Sequence, residues 1–190
     1  QRIGFVSTKD DLLALIRRAG PLRVLKEKGR SVYPYTIADR ESVDEWSQEL
    51  IREGSISSIY IDDAYFVPAE DLSSYISALA KERELGKMDE AILEELREDR
   101  SPNELAEKMG LASEKVHQSL RKLEAAGIVG RTGYRGGKWL YRAREVERKN
   151  RQEAMDEVLI RYLECFAPAT AEEVSFALGL GDQEVRRALA

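Results

Sequence analysis

The stretch 101–116 recurs at 170–185, and that repeat constrains the fold more than any other feature of the chain. A constant offset of 69 pairs Ser101 with Thr170, Glu104 with Glu173, Leu105 with Val174, Gly110 with Gly179, Leu111 with Leu180, Ser113 with Asp182, Val116 with Val185 and Leu120 with Leu189. Ser101 and Thr170 are oxygen-bearing helix caps, and the glutamate three residues on completes a capping box. Pro102 suits a first helical position, where its missing N–H costs nothing. Gly110 and Gly179 suit the left-handed residue that closes a helix. Ser113 and Asp182 read as caps of a second helix, on which Val116, Leu120 and Leu123 share one face. Helix, glycine turn, helix is a helix-turn-helix.

The surroundings of the middle copy extend it. Upstream, Ile92, Leu93 and Leu96 fall at helical spacing within Met88–Leu96. Downstream, Gly127 closes the second helix, 128–131 reads as a short strand, 132–138 as a glycine-rich turn and 139–142 as a return strand. Three helices followed by a two-stranded ribbon predict a winged helix. The expected class is therefore mainly α with small β-ribbons (α+β), arranged as tandem winged-helix units.

A looser version precedes it. Ser7 is expected to cap a helix over 10–18 that Gly20-Pro21 stops, and Leu22, Val24 and Leu25 are candidates for a short second helix. Ser42 or Asp39 caps a helix over 43–52 with Val43, Trp46, Leu50 and Ile51 on its apolar stripe. Strands over 55–61 and 64–67 meet at Asp62-Asp63, and a helix over 71–79 closes the unit. The third segment has Met155, Leu159, Leu163 and Phe166 on one helical stripe before the repeat copy, with the charged run 145–151 expected to continue that helix upstream. The expected units are 1–80, 81–145 and 146–190. The third stops before any wing and Gln1 stands where an initiator methionine would, so the chain is expected to be a piece of something longer.

Composition narrows the function. The chain is 43% hydrophobic with only 7% aromatic residues, so small cores of Leu, Ile, Val and Ala are expected. No window approaches the ~18 apolar residues of a membrane span, and no signal peptide is visible. One cysteine, Cys165, and one histidine, His117, exclude an internal disulfide and offer little for a metal site. The expected setting is cytoplasmic, with Cys165 a buried structural thiol, His117 an exposed helix residue, and Trp46 and Trp139 packing residues. Motifs for phosphate loops, serine hydrolases and zinc proteases are absent. No cofactor and no metal are expected, and an active site wholly within the chain is not.

The net charge is −5, but it is unevenly spread: residues 121–151 hold 10 basic and 3 acidic side chains. If the middle unit docks as helix-turn-helix proteins do, its second helix is the recognition helix, presenting Lys115, Gln118, Arg121 and Lys122. Gln can pair bidentately with adenine, and Arg or Lys with guanine. The ribbon adds Arg131, Tyr134, Arg135, Lys138 and Arg142, with glycines that let backbone approach phosphates. The alternative for both elements is a solvated, solubilising surface. The functional reading requires these cations to converge on one exposed face.

Two stretches resemble a known family. Trp46-Ser-Gln-Glu-Leu-Ile-Arg-Glu-Gly54 followed by Ala64-Tyr-Phe-Val-Pro-Ala-Glu-Asp-Leu-Ser-Ser-Tyr75 resembles a region beyond the motor of Lhr-type, large helicase-related ATP-dependent helicases. Arg161-Tyr-Leu-Glu-Cys-Phe-Ala-Pro-Ala-Thr-Ala-Glu-Glu-Val174 resembles the lead-in to a winged helix of the same proteins, with Ala167 where they usually have Gly. Related winged helices occur in AlkZ-like DNA glycosylases, whose Q-x-Q or Q-x-D motif this chain lacks. The resemblance implies an accessory, nucleic-acid-contacting region, with ATP hydrolysis left to a motor elsewhere in a longer protein. The expected function is non-catalytic binding of DNA, or of RNA, with a helicase motor domain as an intramolecular partner and no membrane. The alternatives are a winged-helix transcription regulator, for which 145–166 would serve as a dimer helix, and a protein-interaction scaffold.

Overall fold

The computed structural model describes residues 6–22, 38–61, 63–81, 84–166 and 168–189. It is mostly helical, 58%, with two antiparallel two-stranded ribbons, the expected α+β winged-helix class.

In the first segment α1 (Lys9–Ala19) is capped by Thr8, whose side chain accepts from the Asp11 N–H. Ser7 instead donates to the Asp11 carboxylate, so the cap lies one residue later than expected. α2 (Arg40–Arg52) is capped by Asp39, which accepts from the Ser42 N–H at 2.8 Å. β1 (Ile56–Tyr60) and β2 (Ala64–Pro68) pair with Ile56 opposite Pro68 and Tyr60 opposite Ala64. A 3-10 turn over Ala69–Asp71 leads into α3 (Leu72–Leu79). Leu22 forms a single antiparallel bridge with Phe66; Val24 and Leu25 lie outside the described residues.

The middle segment runs α4 (Lys87–Glu95), α5 (Pro102–Met109), α6 (Ser113–Ala125), β3 (Val129–Arg135) and β4 (Lys138–Ala143). Ser101 and Glu104 form the expected capping box, and Gly110 is left-handed at φ 62. The cap of α6 is Ala112 and not Ser113, which is already helical. The strands extend further than expected and leave a turn of only Gly136 and Gly137, at φ 57 and 78. Two consecutive left-handed residues give a turn whose twist matches the ribbon. Arg100 bridges Tyr141, with N–H to oxygen distances of 3.0 and 2.8 Å. Each of the first two segments thus has its ribbon extended by one bridging residue from the chain that follows the first helix.

The third segment contains α7 (Arg151–Phe166), α8 (Ala171–Leu178) and α9 (Asp182–Ala188). As at 101–110, Thr170 and Glu173 form a capping box and Gly179 is left-handed at φ 65. Gly181 and not Asp182 caps α9. The run 144–150 is not helical, contrary to expectation. Its polar groups bond to neighbouring segments instead of to each other: Glu147 O accepts from Ser73 Oγ at 2.6 Å and the Lys149 N–H donates to Ser77 Oγ at 2.9 Å.

Three apolar clusters result. α1, α2 and one face of the first ribbon bury Leu12, Ile16, Leu22, Leu50 and Phe66. The other face of that ribbon packs, with α3, against α7, α8 and α9, burying Tyr75, Ile76, Met155, Leu159, Val174 and Val185. The middle segment has its own core of Ile92, Leu96, Leu105, Val116, Leu120, Leu123 and Val129. Trp139 packs against two of these clusters, and its ring centroid lies 5.9 Å from that of Phe66. Cys165 is half-buried, not fully buried as expected. The apolar stripe of α7, with Met155, Val158, Leu159 and Tyr162, is buried inside the chain.

Candidate nucleic-acid interface

α6 is held in place from behind. Asp89 on α4, only 5% exposed, accepts from Ser119 Oγ at 2.6 Å, from Lys122 Nζ at 2.5 Å and from the Gly86 N–H at 2.9 Å. Burial pushes the Asp89 carboxyl up. The hydrogen bonds from Lys122 and Ser119 outweigh that and hold it below the usual aspartate range. Val116, Leu120 and Leu123 face the core, so the remaining sides of α6 face outward.

On that outward side Lys115, Gln118 and Arg121 are exposed, and no carboxylate among the described residues pairs with them. Lys138 on the ribbon is likewise exposed and unpaired, and Tyr134 is 39% exposed at the edge of Trp139. The other expected cations are engaged. Lys122 is tied to Asp89. Arg135 reaches the cap glutamate Glu104 at 2.5 Å, drawing the ribbon tip toward the start of α5. Arg142 pairs with Asp99 at 2.9 Å.

Arg131, expected to meet phosphates, is largely withdrawn from the surface. Its side chain is 11% exposed and bonds to Glu124, itself 2% exposed, at 3.0 Å. The guanidinium carbon sits 5.4 Å from the Trp139 ring centroid and 5.6 Å from that of Tyr141. The inward-pointing register of β3 at this position, opposite Tyr141, puts the charge beneath α6. The cations of this stretch therefore do not all converge on one face. Four exposed polar or cationic side chains, Lys115, Gln118, Arg121 and Lys138, remain available.

Two arginines of the 121–151 run act as ties. Arg144 donates to Gly127 O, Ser57 Oγ and Ser58 O, and burial pushes its guanidinium down to about 10. Arg148 donates to Ile76 O at 2.9 Å and Ala126 O at 2.7 Å, joining the ends of α3 and α6. With the Arg131 N–H donating to Ser58 Oγ at 2.9 Å, these bonds set the first ribbon beside α6. Sequence reasoning missed that neighbour. Tyr60 and Asp63, at the end of the first ribbon, line a cleft with His117 and Arg121 of α6. His117 is accordingly half-buried and not exposed.

Residues 85–129 match a protein-family model described as winged helix-turn-helix DNA-binding. This segment is a winged helix-turn-helix. No curated protein matches the chain. Among solved structures it is similar to the Streptomyces sahachiroi DNA glycosylase AlkZ, at 15% identity and a TM-score of 0.68, over 97% of this chain and 59% of that one. At that identity the likeness is one of fold, and the chain spans about three-fifths of that protein's length. Among the described residues no helix is long and apolar enough to cross a membrane, and no cluster of three metal-ligating side chains occurs.

Proposed function

We propose that this chain binds DNA through its middle winged helix, without catalysis of its own, as an accessory region of a larger helicase-like protein that processes DNA. The observation that carries the reading is the outward side of α6: Lys115, Gln118 and Arg121 exposed and unpaired on the second helix of a helix-turn-helix. Lys138 on the adjoining ribbon adds a fourth contact. Phosphates are met by Lys115, Arg121 and Lys138, and Gln118 meets a base edge. Arg135 and Arg142 contribute only where a phosphate displaces Glu104 or Asp99. The DNA glycosylase of similar fold supports DNA as the ligand, and the repeated helix-turn-helix supports a tandem arrangement.

The test is fluorescence anisotropy with the full chain against duplex, single-stranded and forked DNA, with RNA of the same sequence as competitor, over a salt series. Lys115→Ala with Arg121→Ala is expected to weaken binding and reduce the salt slope by about two. Salt-independent binding that the double variant leaves unchanged sinks the reading and favours a protein-interaction scaffold.

A further inference from the structure

A cleft of about 660 Å³ opens where the three segments meet, at the C-terminal end of α6. Lys81 is fastened there by its N–H, which donates to Ala125 O at 2.9 Å. Arg148 is fastened by its guanidinium, which donates to Ala126 O at 2.7 Å. Lys149 and Arg151 complete a cationic rim. Two of the four are neutralised: Lys149 pairs with Glu157 at 2.7 Å and Arg151 with Glu184 at 2.8 Å. Lys81 and Arg148 are exposed and have no carboxylate partner among the described residues. The carbonyls that Arg148 bonds to satisfy two of its N–H groups without cancelling its charge. The floor is different in kind. Leu85, Ile128 and Leu180, all half-buried, turn apolar surface toward that rim. An apolar floor beneath a net positive rim fits a ligand with an apolar face and an anionic edge.

Resting on the DNA-binding reading above, we infer that this cleft holds unpaired nucleotides of a strand that continues beyond the bound duplex. The recognition helix of a helix-turn-helix meets base edges with its N-terminal residues, so the far end of α6 points away from the duplex. Lys115, Gln118 and Lys122 lie at i, i+3 and i+7, along one side of α6 that ends at Ala125. Lys115 and Ala125 are ~15 Å apart at ~1.5 Å per residue. A strand held at Lys115 therefore reaches the cleft in about five nucleotides at ~3.4 Å each. In a duplex the bases are stacked inside, so only phosphates would touch the rim and the apolar floor would stay wet. An unpaired strand offers both parts, base faces to Leu85, Ile128 and Leu180 and phosphates to Lys81 and Arg148. The volume falls among pockets of ~300–1,000 Å³ that enclose a small organic molecule, room for about one or two nucleotides and not for a duplex.

The experiment titrates the full chain against a fluorescent blunt duplex and the same duplex bearing an overhang of about ten thymidines, 3′ in one probe and 5′ in another. One overhang polarity is expected to bind about 10-fold tighter than the blunt duplex, an increment typical of one well-held base. Lys81→Glu is expected to cut that gain to within about twofold and to leave blunt-duplex affinity unchanged. Glu184→Gln, which frees Arg151, is expected to widen the gain about threefold. Equal affinity for blunt and overhang duplexes, or a gain that Lys81→Glu leaves intact, overturns the inference. So does an oligoglutamate peptide that removes the gain at a lower concentration of charge than a free thymidine strand, since the occupant is then an acidic protein segment. Salt-dependent blunt-duplex binding that Lys115→Ala with Arg121→Ala weakens shows that the winged-helix reading stands even then. No binding to any DNA removes both.

Discussion

Arg131 holds its Nε 3.0 Å from Glu124 Oε1, and the two side chains are only 11% and 2% exposed. The pair joins the ribbon of the middle winged helix to the underside of α6. It also explains how an arginine in the most basic part of the chain is withdrawn from the surface. Two charges taken out of water are tolerable only while each satisfies the other.

Glu124→Ala is therefore expected to destabilise the fold by ~3–5 kcal/mol, because it leaves Arg131 buried without its carboxylate. Replacing both, Glu124→Leu with Arg131→Met, should cost much less than the single change. Urea unfolding of the three proteins checks this. A Glu124→Ala loss below about 1 kcal/mol would show that the pair is solvated and not structural.

Asp89 gives an acid dependence. Burial pushes its carboxyl up, but Lys122, Ser119 and the Gly86 N–H together outweigh that and hold it below the usual aspartate range. A group with a depressed folded-state pKa contributes stability above its unfolded value and loses it as pH falls through the folded one. The stability difference between the parent and Asp89→Asn should hold from neutral pH down to about 4 and shrink below it. Unfolding free energies at a series of pH values test this, and a difference that is constant down to pH ~2 refutes it.

What was legible in the sequence was local. The capping boxes of Ser101 with Glu104 and Thr170 with Glu173, and the left-handed Gly110 and Gly179, are set within one or two turns, so residue type and spacing suffice. Ser113 and Asp182 sit one residue inside their helices because Ala112 and Gly181 already take the extended cap geometry. What was not legible was long-range. Nothing near Arg131 in sequence reveals that it will lie under α6. Nothing in the charged run 144–150 reveals that Arg144 and Arg148 will find carbonyls of the first segment, 86 and 72 residues away. A charge run reads as solvated until its partners are known.

Arg148→Ala tests that tie. It leaves Ala126 O without its Arg148 donor and Ile76 O with the Ala80 N–H alone, at a cost of ~1–3 kcal/mol. Because 144–150 has no helical hydrogen bonds of its own, the cost should appear first as local opening. Limited trypsin digestion is expected to cut at Arg144 or Lys149 much faster in the variant, while the helical content measured by circular dichroism stays unchanged. Unaltered cleavage would show that the other bonds of the segment suffice.

The ion pairs of the ribbon make a graded prediction about salt. Each free cation that neutralises a phosphate contributes about 0.9 to the slope of log K against log salt on duplex DNA. Lys138→Ala and Arg121→Ala should each lower the slope by about that much, since neither has a carboxylate partner among the described residues. Arg142→Ala should lower it by clearly less, because Asp99 at 2.9 Å already screens the charge and must be displaced first. Arg135 falls between them: it pairs with Glu104, yet its side chain is 61% exposed and the contact is easily exchanged for a phosphate. Salt titrations of the four single variants on one duplex give the order directly. A slope change for Arg142→Ala as large as that for Lys138→Ala would mean that the pairing with Asp99 does not persist when DNA is bound, and that the whole ribbon faces the phosphates.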